Sequence, residues 1–189
     1  MISNENISYF QRDLESGPTP TPIGQIRFDV FLSHNWGSGM ENHEKVVRIA
    51  QQLRERGLRI WLDEDQMRLD IVQRMTEGID QSQAVVIFVT RAYIDKVAGG
   101  KVDNCKREFI YAVRRKGTEK ILSVVMEEGV KDQSTWNGPV GADLGSHFFV
   151  GCNVDEIVSG LERIGVSIDH GAYGDGRDTL GSNRNASFA

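Results

Sequence analysis

Short apolar runs alternate with amphipathic stretches through the middle of this chain. The runs are rich in β-branched and aromatic residues, which favours strands, whereas the stretches between them repeat apolar residues at helical spacing. Five strands are predicted, at Arg27–Ser33, Leu58–Leu62, Ala84–Thr90, Ile121–Met126 and His147–Val150. Four helices are predicted, over residues 41–57, 71–79, 103–116 and 154–164.

Strands that alternate with helices are typical of an α/β domain with right-handed crossovers. The run Ala84–Thr90 has no polar residue before its last position, as expected for a central strand covered on both faces. We therefore predict a doubly wound, five-stranded parallel sheet flanked by helices. If its strand order is the flavodoxin-like 2-1-3-4-5, a crevice opens at the carboxyl ends of strands 1 and 3.

Both ends of the chain differ in composition from its middle. Residues 1–26 are mostly polar and include the proline-rich stretch SGPTPTPIG, and residues 166–189 are rich in Gly, Asp, Ser and Asn. Such stretches carry too few apolar residues to build a core. We predict a disordered leader or linker over 1–26, one domain over 27–165 and a disordered tail over 166–189. The 189 residues suffice for one well-buried core.

The charge distribution and the two cysteines limit the classes of partner that we expect the chain to bind. The net charge of −5 is spread without a basic segment, so nucleic-acid binding is not expected. No apolar run is long enough for a membrane span, and the amino terminus lacks the pattern of a signal peptide. Cys105 and Cys152 lack metal-ligand spacing and are interpreted as free thiols. The predictions are a cytoplasmic protein without a metal site, a bound cofactor or a membrane partner.

One predicted helix carries a carboxylate at an unusual position. In DNCKREFIYAVRRK, Cys105, Phe109 and Ala112 share an apolar stripe, and Glu108 lies on its flank. Asp103 is the predicted cap of this helix. A carboxylate at such a border can face a cleft, although an ordinary solvated Glu is the more frequent explanation for one residue taken alone.

The loop after strand 1 offers polar groups on the same side of the predicted sheet. It contains Ser33, His34, Asn35 and Trp36, followed by Gly37 and Gly39, which allow close backbone approach. This composition suits a nucleotide better than an apolar ligand. Trp36 is interpreted either as a stacking platform for a base or as a lid over the core, and His34 as a hydrogen-bonding group rather than a base.

Several doubly wound classes do not fit. A phosphoacceptor domain needs an Asp where strand 3 ends, but the chain has Val89-Thr90-Arg91 there. The loop after strand 1 is not the Thr- and Ser-rich phosphate loop of flavin binders, and no P-loop is present.

Four motifs in order resemble the Toll/interleukin receptor (TIR) domain over about Arg27 to Ile164. They are DVFLSH, GLRIWLDEDQM, MTEGIDQSQAVVIFVTRAYI, and NCKREF followed by YA. The resemblance implies a five-stranded flavodoxin-like domain that self-associates and signals, as in innate immunity. A subset of the family cleaves NAD⁺ at the nicotinamide-ribose bond. In that subset the Glu of a C-x-x-E motif is catalytic, which nominates Glu108.

The resemblance also implies roles for other residues. NAD⁺ would be the substrate, and other TIR domains would be partners, in a homo-oligomer formed on activation. The substrate-binding candidates are Ser33, His34, Asn35, Trp36, Asp63 and Cys105. In the family, the loop over 63–70 packs against a neighbouring domain and can complete the active site, which nominates Asp65, Met67 and Asp70 as assembly residues.

Two functions from different classes remain open. The first is an NAD⁺-cleaving signalling enzyme, and the second is a TIR scaffold that only recruits other TIR domains. Glu108 favours the enzyme. A narrower resemblance of Glu108 and Ala112 to nucleoside deoxyribosyltransferases covers a single motif.

Overall fold

A five-stranded parallel sheet forms the centre of the computed structural model, which describes residues 25–62, 71–101 and 103–168. The strands are β1 (Phe28–His34), β2 (Ile60–Trp61), β3 (Ser82–Val89), β4 (Ile121–Val125) and β5 (Phe149–Val150). They lie in the order β2-β1-β3-β4-β5, and every neighbouring pair is parallel. The predicted flavodoxin-like fold and its strand order are therefore confirmed.

Helices cover both faces of the sheet. They are α1 (Glu41–Glu55), α2 (Ile71–Asp80), α3 (Arg91–Ala98), α4 (Asn104–Lys116), α5 (Gly138–Leu144) and α6 (Val154–Arg163). Short 3-10 turns occupy Thr118–Lys120, Glu128–Val130 and Gln133–Thr135. Buried residues of α1 and α6 pack on one face, and those of α2 to α5 pack on the other. In the described ranges no helix is both long and apolar enough to cross a bilayer.

The apolar run in β3 follows from this two-sided packing. Val85, Ile87 and Val89 point into the core beneath α2 to α5, whereas Ala84, Val86 and Phe88 point into the core beneath α1 and α6. All six are fully buried. Since successive residues of a strand face opposite sides, a strand covered on both sides has no position for a solvated side chain.

The same alternation places the end of β1. Phe31 packs on the α4 side and Leu32 packs on the α1 side. Ser33 therefore faces α4, and His34 faces α1. The side chains of these two neighbouring polar residues at the carboxyl end of β1 thus point to opposite faces of the sheet.

Several element boundaries differ from those predicted. The strand predicted to end at Ser33 includes His34, and the one predicted to end at Thr90 stops at Val89 because Thr90 caps α3. The predicted strands Leu58–Leu62, Ile121–Met126 and His147–Val150 are shorter in the structure, and the last predicted helix ends at Arg163.

Two helices, α3 and α5, were not predicted. The first spans only eight residues, too few for a clear helical period, and the second begins with Gly-Pro and contains two glycines.

The folded part passes the predicted boundary at residue 165. Val166 is buried and packs against the core on the α1 side. Most of the predicted leader and tail, and the whole predicted assembly loop over 63–70, lie outside the described residues.

Candidate active site at the carboxyl end of β1

The helix that carries Glu108 begins as predicted. Asp103 is its N-cap, and its Oδ1 accepts a hydrogen bond of 2.8 Å from the backbone N–H of Cys105. Lys96 on α3 lies 3.2 Å from the other carboxylate oxygen of Asp103. This anchored start fixes the rotation of α4, so that Cys105 and Phe109 are buried and Glu108 is half-buried at the edge of the apolar face.

Two side chains of α4 hold the end of β1. The Cys105 thiol lies 3.6 Å from the carbonyl oxygen of His34, and the Ser33 hydroxyl donates a 2.6 Å hydrogen bond to Glu108 Oε2. Residues three apart on a helix lie on the same side, so the spacing of the C-x-x-E motif lets both reach consecutive residues of one strand. Burial raises the pKa of Cys105, and the neighbouring Glu108 and Asp103 raise it further, which keeps the thiol protonated as a donor.

A third residue joins this pair. The Tyr93 hydroxyl lies 3.0 Å from Ser33 Oγ, and both side chains are buried. Burial raises the pKa of Tyr93 well above its usual value, with smaller contributions from Cys105 and Glu108. The sequence interpretation did not include Tyr93, because the residue lies on the unpredicted helix α3. The signal available was the capping residue Thr90 three positions before it, whose Oγ1 accepts from the Tyr93 backbone N–H at 3.0 Å.

On the other face of the sheet, His34, His43 and Trp36 form a stack. His34 Nε2 lies 2.9 Å from His43 Nδ1, and the ring of Trp36 lies on that of His43 with centroids 4.0 Å apart. Burial, followed by the charge of His43, lowers the pKa of His34 to about 3, so His34 is neutral at physiological pH. One face of the Trp36 ring is thus covered by His43, and Trp36 as a whole is half-buried.

The loop after β1 is held by its own polar groups. Asn35 Oδ1 accepts 2.8 Å from the Gly37 backbone N–H, and the Glu41 carboxylate accepts from the N–H groups of Ser38 and Gly39 at 3.2 and 2.7 Å. Gly37 has a φ of 82°, and a Cβ there would collide with the Glu41 carboxylate. The positive φ therefore favours glycine at this position, whereas the exposed, flexible Glu41 side chain could move aside.

The predicted cluster is present, but most of its members lie beneath the surface. Ser33, His34, Asn35 and Cys105 are all buried and bond to other protein groups, whereas Trp36 and Glu108 are half-buried. Their direct contact with a substrate stays a prediction. Asp63, Asp65, Met67 and Asp70 lie outside the described residues. Within residues 25–62, 71–101 and 103–168, no group of three or more His, Cys, Asp or Glu residues is arranged to hold a metal ion.

The fold and the site together define the class of protein. It is a doubly wound α/β domain with a carboxylate held at the carboxyl end of its first strand. The chain belongs to the TIR domain family, because the model of that family matches residues 30–152. A similar curated protein, from Methanobrevibacter olleyae, is named "Probable 2′ cyclic ADP-D-ribose synthase TcpO". It is 28% identical over 148 residues, which cover 75% of this chain and 40% of that protein. The chain thus corresponds to less than half of the relative's length.

Proposed function

We infer that this TIR domain cleaves NAD⁺ at the bond between nicotinamide and ribose. The observation that carries the inference is the half-buried Glu108 carboxylate, held at the carboxyl end of β1 by a 2.6 Å hydrogen bond from Ser33. This is the end of a doubly wound sheet at which ligands bind. The name of the Methanobrevibacter relative, a cyclic ADP-ribose synthase, supports the same bond cleavage.

The chemistry requires little beyond a placed negative charge. When the bond between ribose C1 and the nicotinamide nitrogen breaks, its electron pair moves to the cationic ring, which leaves as neutral nicotinamide. Positive charge develops on the ribose, and a carboxylate in a partly desolvated site stabilises it. Water, or a hydroxyl of the same molecule, then adds at C1 and releases a proton. Glu108 is the proposed catalytic residue.

The acceptor decides the product. Addition of water yields ADP-ribose, whereas addition of the 2′-hydroxyl of the adenosine ribose yields a 2′ cyclic ADP-ribose, as in the name of the relative. Both products accompany one nicotinamide and one proton. Mass spectrometry separates them, because the cyclic product is lighter than ADP-ribose by one water.

The test compares nicotinamide release by the wild type and Glu108→Gln. The Gln side chain retains the size and the acceptor for Ser33 but lacks the charge, so we expect release to fall by at least about 100-fold. Glu55→Gln, at the exposed far end of α1, is the matched control and should release nicotinamide like the wild type. Equal release by wild type and Glu108→Gln at matched melting temperature would contradict the proposal.

Trp36 is proposed to contact the substrate through the ring face that does not lie on His43. Base-aromatic stacking contributes about 1–3 kcal/mol, so Trp36→Ala should raise KM by about tenfold, with a smaller fall in kcat. Steady-state kinetics with NAD⁺ separates the two parameters. An unchanged KM would indicate that Trp36 only covers His43.

An apolar surface away from the site favours self-association. The same surface is compatible with the alternative function, a scaffold without enzymatic activity. Val72 and Ile110 are exposed hydrophobic residues that line a groove of about 300 Å³ between α2 and α4. If copies must associate to complete the site, the specific activity will rise with protein concentration. A flat specific activity would remove the shared site, and absence of nicotinamide release at any concentration would favour the scaffold.

A further inference from the structure

We propose that Tyr93 and Ser33 are positioning residues, which act through one hydrogen-bond chain to orient the Glu108 carboxylate and favour its ionised form. The chain runs from α3 across the end of β1 to α4, with distances of 3.0 Å and 2.6 Å. The inference rests on the proposed function, in which Glu108 is the catalytic residue. It adds Tyr93, which the sequence interpretation did not include, and gives Ser33 a role beneath the substrate rather than against it.

The direction of both hydrogen bonds follows from the number of available protons. A carboxylate only accepts, so the single proton of the Ser33 hydroxyl points to Glu108 Oε2 when Glu108 is ionised. Ser33 Oγ must then accept from Tyr93, which donates its only hydroxyl proton. The chain is polarised towards Glu108, and each link strengthens the next.

Tyr93 is suited to be a permanent donor. Burial raises the pKa of its hydroxyl, which therefore keeps its proton at neutral pH. Its ring is fully buried in the core beneath α2 to α5, and its backbone is held by the Thr90 cap. A tyrosine in such a core could be replaced by phenylalanine without loss of packing, so the hydroxyl needs a separate explanation, which the bond to Ser33 supplies.

Ser33 is buried like Tyr93. The residue is 1% exposed, and its side-chain oxygen lies between Tyr93 and Glu108. A hydroxyl donor is neutral, so this bond orients the carboxylate without cancelling its charge. A hydrogen bond to the charged form of an acid favours ionisation. Loss of the chain should therefore lower the fraction of ionised Glu108 at mildly acidic pH.

The experiment is a double-mutant cycle on nicotinamide release, with Tyr93→Phe, Ser33→Ala and their combination. We expect kcat to fall about threefold in Tyr93→Phe and about thirtyfold in Ser33→Ala, with KM within about twofold of the wild type. Because Tyr93 acts through Ser33, Tyr93→Phe should have no further effect in the Ser33→Ala background. Ser33→Thr, which keeps the hydroxyl, should restore most of the rate.

Tyr111→Phe is the matched control. Its hydroxyl donates to Asp80 at 2.9 Å at the far end of α2, outside the chain of bonds to Glu108, so the rate should not change. Equal slowing by Tyr93→Phe with and without Ser33, or by Tyr111→Phe, would overturn the proposal. So would a Tyr93→Phe enzyme with the rate of the wild type.

Two further readouts report the ionisation of Glu108, and the second of them does not depend on activity. The acid limb of the pH–rate profile should move to higher pH in Tyr93→Phe and in Ser33→Ala. In protein labelled with ¹³C at the glutamate carboxyls, the Glu108 resonance, assigned with Glu108→Gln, should show the same move of its titration midpoint. If the wild type releases no nicotinamide, the proposed function fails, yet this resonance still decides whether the chain exists. If Ser33→Ala does not fold, Tyr93→Phe alone decides. Identical midpoints in wild type and variant would overturn the proposal.

Discussion

Two carboxylates lie at opposite ends of β1, and their surroundings differ. Asp29, at the amino end, is bound by the Arg59 guanidinium at 2.6 and 3.2 Å, by the Arg59 backbone N–H at 2.7 Å and by Gln83 at 2.8 Å. Glu108, at the carboxyl end, is bound by the hydroxyl of Ser33 at 2.6 Å. The first set of donors includes a full positive charge, whereas the Ser33 hydroxyl is neutral.

The difference separates a structural carboxylate from a candidate catalytic one. Arg59 precedes β2 and Gln83 lies in β3, so Asp29 joins three neighbouring strands, and its charge is largely compensated by Arg59. Burial would raise the pKa of Asp29, but the bonds from Arg59 and Gln83 outweigh it and lower the pKa. The Ser33 hydroxyl, in contrast, orients Glu108 without carrying a charge of its own. We therefore expect Asp29 to matter for fold stability, and Glu108 is the residue proposed for chemistry.

The largest effects are expected when each of the two carboxylates, Asp29 and Glu108, is replaced by the corresponding amide. Asp29→Asn should lower the free energy of unfolding by about 1–2 kcal/mol, because the half-exposed Arg59 loses its partner, and should leave nicotinamide release per folded molecule unchanged. Glu108→Gln should do the reverse, with release at least about 100-fold lower and stability nearly unchanged. Thermal unfolding and the kinetics of nicotinamide release, measured on both variants, test this expectation.

Asp155→Asn is the control for this pair, since Asp155 forms an exposed ion pair with Arg56 and should change stability by less than about 0.5 kcal/mol. A large loss of activity in Asp29→Asn, or a large loss of stability in Glu108→Gln, would remove the distinction between the two ends.

Acid should weaken the carboxyl end first, through His34. The pKa of His34 is about 3 in the folded protein, below its ordinary value of 6.5, so between these values the unfolded chain binds a proton that the native chain does not. Stability is therefore complete above pH 6.5 and falls below it, with a slope of at most about 1.4 kcal/mol per pH unit. His34→Gln should flatten this part of the curve, measured by denaturant unfolding from pH 7 to pH 4. An unchanged slope would show that His34 does not govern it.

The smallest effect is expected at lower pH and concerns Asp29. Its folded pKa lies below the ordinary value of 3.8, so its contribution is complete above that value and is lost as pH falls through the folded pKa. The stability difference between wild type and Asp29→Asn should thus be constant near neutrality and shrink below about pH 4. A difference that stays constant down to pH 3 would contradict the assignment.

The fold was predictable because its strongest patterns come from two-sided burial. The six apolar residues of β3 have no alternative to a central strand, and the inner face of α1, which includes His43, follows the helical period. The short elements are harder to predict from the sequence. In α3, three buried residues, Tyr93, Ile94 and Val97, span little more than one turn, and only the Thr90 cap distinguishes them from the end of the strand.

The site was predictable where topology alone brings residues together. Ser33 follows from the end of strand 1 and Glu108 from the helix reached from the end of strand 3, so both are predicted to line one crevice, and the structure joins them. Two links were not predictable in the same way. Tyr93 needs the lateral position of α3, and the bond between His34 and His43 needs the side on which His34 points, which depends on β1 running one residue further than predicted.

Both margins of the sheet are short. In the described part of the chain, β2 and β5 have two residues each, while β3 has eight. A strand from another molecule would find few unpaired N–H and C=O groups to continue the ladder at either margin. Pairing of strands between copies of this domain is therefore disfavoured in the part that the structure describes. If copies assemble, we expect their contacts to use helices and loops, so that one copy could separate from the next without breaking a strand pairing.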